Sequence, residues 1–319
     1  MASRVCPLNA CLPVVFALLI VTGASAQVIV KQPADVTDVR SISHVNAGPP
    51  KGAVGVTLWG SHYQLQPTED RTLENNTGFA PPDPRASYQL SVAPASPGAT
   101  GIQAHGGEIG INIQSTSIAS NLASKFDLGT IVLGANLPAP VQPFASGKKA
   151  KYSFAARIPR SGQTNRGVSQ VVAYYSLRDR VHNQSFWFGM VVFDSRGWSY
   201  QSSHGLERVM WDKGTNRPIV QATAAHSNNL LDRLYPTTAF AGQPFSDRRS
   251  YTFAIGAPQV GAAISLMKSR YPALAAKFSD DPADYEIRHI NLNPEIYAPQ
   301  GAFAQIGISV IDWQLEIVP

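Results

Sequence analysis

The residues best equipped for chemistry crowd one stretch, WSYQSSHGLERVMW, which carries Trp198, Tyr200, His204 and Trp211 among amides, hydroxyls and Glu207. Aromatic faces stack on the apolar side of a sugar ring while amides and carboxylates bond its hydroxyls, so this stretch reads as a carbohydrate-binding loop. Tyr200 and His204, taken with Arg196 and His182, also supply a base and a cation. A polysaccharide lyase needs both, to remove the proton beside a uronate carboxylate and to stabilise the charge that results. A second supply lies in EIGINIQS, where Ile109, Ile111 and Ile113 alternate with Glu108, Asn112 and Gln114. Alternation of this kind predicts a strand with one buried face and one wet face, and Glu108, Asn112 and Gln114 are candidate glycan contacts on the wet one.

Other chemistries find no support in the spacing. The chain has no Gly-x-Ser-x-Gly elbow, no phosphate-cradling glycine loop, and no His-x-x-x-His pair among its seven histidines. Asp280, Asp281, Asp284 and Glu286 in SDDPADYE are hard oxygen ligands at short intervals, the kind calcium takes. They lack EF-hand spacing, and a solvated turn after a helix accounts for them more simply. Asp194, Glu207 and Asp212 lie too far apart in sequence to share one strand face, although a fold could bring them together.

The elements that must position these groups are mostly strands. KYSFAARI, VSQVVAYYSL, SFWFGMVVF and SYTFAIGA are rich in β-branched and aromatic residues and bounded by turn formers. The short link RDRVHNQ predicts that the second and third are antiparallel neighbours. In SFWFGMVVF both faces are apolar, which places Phe186 to Phe193 mid-sheet with Phe186, Trp187 and Phe188 largely buried, and makes Asp194 to Gly197 the turn that ends it. One helical excursion is expected near 259–278, interrupted by Pro272. Residues 27–101 form a loop-rich first part, within which 52–60 and 87–92 could be strands; residues 102–319 form the main domain. In the last segment Ile306, Ile308 and Val310 share one phase while Ile311, Trp313, Leu315 and Ile317 share the other, so a β-bulge at Val310-Ile311, or a strand that changes sheets there, is expected.

The fold class expected from these elements is all-β, a two-sheet antiparallel sandwich. The order KYSFAARIPRSG, then VVAYYSLRDRVHNQSFWFGMVVFDSRG, then a terminal ISVIDWQLEIV resembles the concanavalin A-like lectin and glucanase superfamily over about residues 148–318. That resemblance implies a jelly roll with a concave glycan-binding face and, in some members, a structural calcium, for which Asp312 in the terminal strand is the candidate metal ligand. An outward polar residue on an alternating strand is the plainer reading of Asp312. The glucanase branch carries Glu-x-Asp-x-Glu on one strand so that two carboxyls face one sugar about 5 Å apart. No such run occurs here, so its reaction does not transfer.

The first thirty residues run from Arg4 through an apolar core, Leu12 to Val21, to Ala24-Ser25-Ala26. That is the order of a secretory signal peptide at 1–26, too short for a bilayer span of roughly 20 residues. The formal charge of +5 at pH 7 becomes +4 when Arg4 leaves, spread without the basic stripe that nucleic acid requires. The partner expected is a polysaccharide or cell-surface glycan, outside the cell or in the periplasm. Three functions stay open: a secreted glycan-binding protein, a polysaccharide-cleaving enzyme (lyase before hydrolase), or a structural envelope protein without a small ligand. Cys6 and Cys11 are the only cysteines and both precede the cleavage point, so the mature chain should begin at Gln27 and contain no thiol or disulfide. Intact mass and thiol titration of the exported protein check this; a secreted form still carrying residues 1–26 would refute it.

Overall fold

The computed structural model describes residues 25–34, 36, 42–45, 47–59, 64–65, 88–91, 100–115, 129–226, 229–299 and 301–319. The apolar run of the expected signal peptide lies outside the described residues. In chain order the first strands are β1 (Gln27–Lys31), β2 (Ser43–Val45), β3 (Val54–Trp59), β4 (Gln64–Leu65), β5 (Tyr88–Ser91), β6 (Gly101–His105), β7 (Glu108–Gln114) and β8 (Gly129–Val141). They continue as β9 (Lys149–Thr164), β10 (Val168–Asp179), β11 (Gln184–Asp194), β12 (Glu207–Asp212), β13 (Arg217–Thr223), β14 (Phe245–Ile255), β15 (Tyr285–Tyr297) and β16 (Phe303–Val318). Among the described residues the α-helices that interrupt them are α1 (Gly197–His204) and α2 (Ala257–Arg270).

These strands form the expected two-sheet sandwich. The first sheet runs β14-β9-β16-β7-β6-β5-β4 with β1 added along β16; the second runs β12-β13-β11-β10-β15-β8-β3-β2. Pairing is antiparallel except for β11 with β13 and β2 with β3. The loop-rich first part thus contributes strands to both sheets.

Alternation decides which side of each strand is inside. Val171, Ala173, Tyr175 and Leu177 of β10, and Phe186, Phe188, Met190 and Val192 of β11, enter one continuous core with Ile306, Ile308, Val310, Trp313 and Leu315 of β16. Tyr175 crosses the interior: its hydroxyl accepts from the Tyr152 amide at 3.0 Å and has the carbonyls of Ala150 and Phe253 in the other sheet for its proton. Trp313 donates its indole N–H to the Tyr152 hydroxyl, so Trp313, Tyr152 and Tyr175 are buried rings whose polar groups are satisfied.

Two details differ from expectation. The bulge falls between Ile311 and Gln314, not at Val310-Ile311. Asp312 absorbs the extra residue with φ 54°, a left-handed conformation that a short polar side chain tolerates, so Ile311 turns out of the core. Trp187, expected inside with Phe186 and Phe188, faces away from the other sheet and is only half-buried, because it has the opposite phase on β11. The helical excursion is present as α2 followed by a 3-10 turn over Pro272–Lys277. Phe188 is fully buried between the sheets, so Phe188→Ala should cost about 3 to 5 kcal/mol and lower the melting temperature by several degrees. An unchanged melt would remove β11 from the core.

Candidate functional site

The residues singled out from the sequence do not assemble into one site. Glu108, Asn112 and Gln114 lie on the outer face of the first sheet. That face is not wet where it was expected to be: Asn112 sits mid-sheet between Gly101 and Gly307 and is 1% exposed. Alternation reports the face of a strand, not whether that face is covered. Burial pushes the Glu108 carboxyl up, but the Ser309 hydroxyl with Arg248 and Arg157, at 2.8 and 2.9 Å, outweighs it and holds the carboxyl below its ordinary range. Glu108 is therefore committed to an ion-pair cluster.

Trp198, Tyr200 and His204 belong to α1 rather than to a loop, and Trp211 to β12. The Arg196 guanidinium lies 3.6 Å from the Tyr200 ring centre and the His204 ring stacks at 4.0 Å. Two groups at such distances occupy the two ring faces, so Tyr200 has none open for a sugar. Trp198 packs against His226 and Phe240 with part of its surface exposed. His182 is held by Asp179 in the β10–β11 turn, at the far end of that hairpin from Arg196; eleven strand residues separate the two, about 35 Å. The set of His182, Tyr200, His204 and Arg196 therefore cannot act on one sugar.

Asp312 is exposed at the bulge, and among the described residues no three His, Cys, Asp or Glu side chains group as a metal site. Asp281 caps the 3-10 turn Pro282–Asp284, Asp284 accepts from Ser279, and Asp280 pairs with Lys268 at 2.8 Å, so SDDPADYE is a hydrogen-bonded turn.

What the fold does bring together is the outer face of the second sheet. On β15, Ile290, Leu292 and Ile296 enter the core, so His289, Asn291, Asn293 and Glu295 point the other way. Register aligns three rows across this face. Trp59, Thr130, Glu295 and Gln170 pair in succession over β3, β8, β15 and β10. Asn291, Tyr174, Gly189, Gln221 and Arg208 form the next. Asn136, His289, Ser176, Trp187 and Ile219 form the third.

Glu295 is the carboxyl of this face. It is 8% exposed and accepts from Gln170 at 2.7 Å and Asn293 at 3.2 Å. Burial raises its pKa; those two bonds oppose the rise, and the charge of Asp212, at the end of β12, adds to it. With Gln170 and Arg196 it lines a cavity of about 180 Å³. Arg196 is fixed there by Asp194, which it grips through Nε and Nη2 at 2.9 and 2.6 Å, and its Nη2 reaches Gln170 at 3.4 Å.

Aromatic rings flank the carboxyl. Trp59, 48% exposed, lies two strands from Glu295, about 10 Å at ordinary strand spacing. Trp187 meets Tyr174 edge-on at 6.0 Å and donates to Thr215, whose hydroxyl is bonded to Asp212. Tyr174 lies over Gly189, where a Cβ would come within 2.4 Å of its ring, so only glycine permits this close approach. Burial, reinforced by Glu295, pushes the Tyr174 hydroxyl well above its ordinary range, and Gln221 donates to it. Asn291 and Asn293 Oδ1 and Arg208 Nη1 are buried without a hydrogen-bond partner among the described residues, each a cost that a bound polar molecule or water removes.

Sequence reading missed Glu295, Asn291, Asn293, Tyr174 and Trp59. The available signal was the polar set His289, Asn291, Asn293 and Glu295 at period two against Ile290 and Leu292, partly disguised by Pro294.

No protein-family model matches this chain, and no curated protein matches it. Among solved structures it is similar to a family 12 glycoside hydrolase at 11% identity and TM-score 0.39, covering 81% of this chain and 98% of that one. A variant of the Cel12A cellulase of Rhodothermus marinus overlaps at 7% identity and TM-score 0.36, covering 82% and 100%. The family 11 xylanase from Neocallimastix patriciarum overlaps at 9% and 0.32, covering 83% and 100%. At such identities and TM-scores these likenesses carry no argument about what this chain does.

His289 gives the face a measurable pH response. Burial pushes its pKa down to about 4, and its Nδ1 sits 3.0 Å from Asn136 Oδ1, the geometry of a neutral ring donating there. The unfolded chain takes up the proton below about pH 6.5 while the folded chain refuses it until about pH 4, so this residue's contribution to stability falls as pH drops through that window. Denaturation curves of wild type and His289→Gln should therefore converge on acidification from pH 6.5 to 4. A pH-independent difference would mean that His289 is not held neutral.

Proposed function

We propose that the outer face of the second sheet binds a polysaccharide chain and cleaves its glycosidic bonds, as the work of an exported protein. The observation that carries this reading is Glu295: a buried carboxyl with a raised pKa, between an exposed indole at Trp59 and the rings of Tyr174 and Trp187. A carboxyl whose proton is held more tightly than usual suits donation to a leaving glycosidic oxygen. For the second carboxylate of such a reaction we propose Asp212, whose charge adds to the raised pKa of Glu295 and which Thr215 and the Gly214 amide hold in place. Glu295 donates its proton as the bond breaks; Asp212 activates water or meets the anomeric carbon. Trp59 and Trp187 supply platforms for sugar rings, and Asn291 and Asn293 supply acceptors for hydroxyls.

Binding without turnover is the second reading, favoured by the unpaired acceptors of Asn291 and Asn293, which a bound sugar satisfies whether or not it is cut. Export rests on the leader read from the sequence; no helix among the described residues is long and apolar enough to cross a membrane.

One variant separates the readings. Because Glu295 has a raised pKa in the fold, stability is lost as pH rises above the ordinary carboxyl value of 4.5, so Glu295→Gln should keep or raise the melting temperature at pH 7. Asn293 can rotate its amide to present its unpaired oxygen to the new group. Wild type incubated with a panel of soluble polysaccharides should release reducing ends; Glu295→Gln should bind the same substrate and release at least a hundredfold fewer. Cleavage undiminished in the variant would remove Glu295 from the reaction, and binding with no products in wild type would leave the second reading.

A further inference from the structure

A second cavity, about 300 Å³, opens where the β10–β11 turn, the β12–β13 hairpin and the 3-10 turn Pro272–Lys277 meet. Its lining includes Trp211, Arg217, Lys277, Asn183, Asn216 and Thr215, and no carboxylate. Among the described residues neither Arg217 nor Lys277 has an ion-pair partner. Two cations on one polar cavity outnumber the one carboxylate beside it, Asp212, which stands across the hairpin from Arg217 and is bonded to Thr215, so the potential there favours an anionic occupant. Trp211 is 38% exposed; its indole N–H is fixed on Asn216 at 3.1 Å and its ring meets Tyr271 edge-on at 5.7 Å. The indole is thus held still with a face available, next to amides that can bond hydroxyls.

The cavity is joined to the outer face of the second sheet through one residue. Thr215 lines it and also accepts from Trp187 at 3.2 Å on that face. A chain lying over Trp187 therefore has this cavity at its edge.

We propose that this cavity is a subsite for an anionic sugar unit, which makes the ligand an acidic polysaccharide rather than a neutral one. Arg217 and Lys277 meet the anionic group, Trp211 takes the apolar face of the ring, and Asn183 and Asn216 take hydroxyls. The shared chemistry is a sugar carrying negative charge, whether a uronate carboxylate or a sulfate ester. The inference that this is the substrate's charged unit rests on the proposed function; occupation of the cavity does not.

Titration calorimetry of the mature chain tests it, with a uronic acid tetramer, a sulfated glucose tetramer and a neutral glucose tetramer as probes. The Glu295→Gln background prevents consumption of the probe. One or both acidic tetramers should bind at least tenfold more tightly than the neutral one, with affinity falling as salt rises. The arm that binds names the anionic group. Arg217→Gln and Lys277→Gln should each weaken acidic binding about ten- to hundredfold, the effect expected of one charge-assisted hydrogen bond, and leave neutral binding unchanged. Both side chains stand at the cavity wall, so the melt should not move. Equal affinity for acidic and neutral tetramers, or acidic binding that survives Arg217→Gln with Lys277→Gln, overturns the subsite while leaving the polysaccharide site standing. Arg217-dependent binding of an acidic tetramer, together with no reducing ends released by wild type from any polymer, supports the subsite and overturns the proposed activity. No binding of any probe overturns both.

Discussion

The hydroxyl of Tyr175 is the point on which the two sheets depend. It reaches from β10 into the opposite sheet and bonds backbone groups of Tyr152, Ala150 and Phe253 inside a core that holds no water-facing alternative for them. Trp313 completes the tie through the Tyr152 hydroxyl. Apolar burial supplies the driving force for the sandwich but little direction; these directed bonds fix which strand of one sheet lies over which of the other. The chain's only cysteines stand at positions 6 and 11, so no disulfide among the described residues substitutes for that tie.

Fixing the inside also fixes the outside. A strand that sends Tyr175 and Leu177 inward must send Tyr174 and Ser176 outward, and β15 does the same with His289, Asn291, Asn293 and Glu295. The outer face of the second sheet therefore inherits a polar composition on a rigid support. Glycines adapt it: Gly134 and Gly189 leave room for the His289 and Tyr174 rings to lie close against the strands. The face carries local costs, a buried carboxyl with raised pKa and three unpaired polar atoms.

Much of the architecture was legible in the sequence because it rests on period-two patterns. The apolar run Phe186 to Phe193 placed β11 mid-sheet, and the phase slip in the last segment located the bulge to within two residues. The site was less legible for a physical reason: its members come from β3, β10, β11, β12, β13 and β15, and only pairing register brings Trp59 level with Glu295. A local search for aromatic and polar residues instead found Trp198, Tyr200 and His204. They gather on one short helix that buries only Gln201, so no hydrophobic stripe announced it as helical.

Five tryptophans report directly on where a polysaccharide lies. Their indole N–H resonances in 15N-labelled protein, followed during titration with an oligosaccharide that the protein binds, test the central claim that the outer face of the second sheet is the site. The account requires the Trp187 and Trp59 signals to shift with one common affinity while Trp313, buried on the far side of β10 and β11, stays still. Saturating ligand that leaves Trp187 and Trp59 unmoved would contradict it.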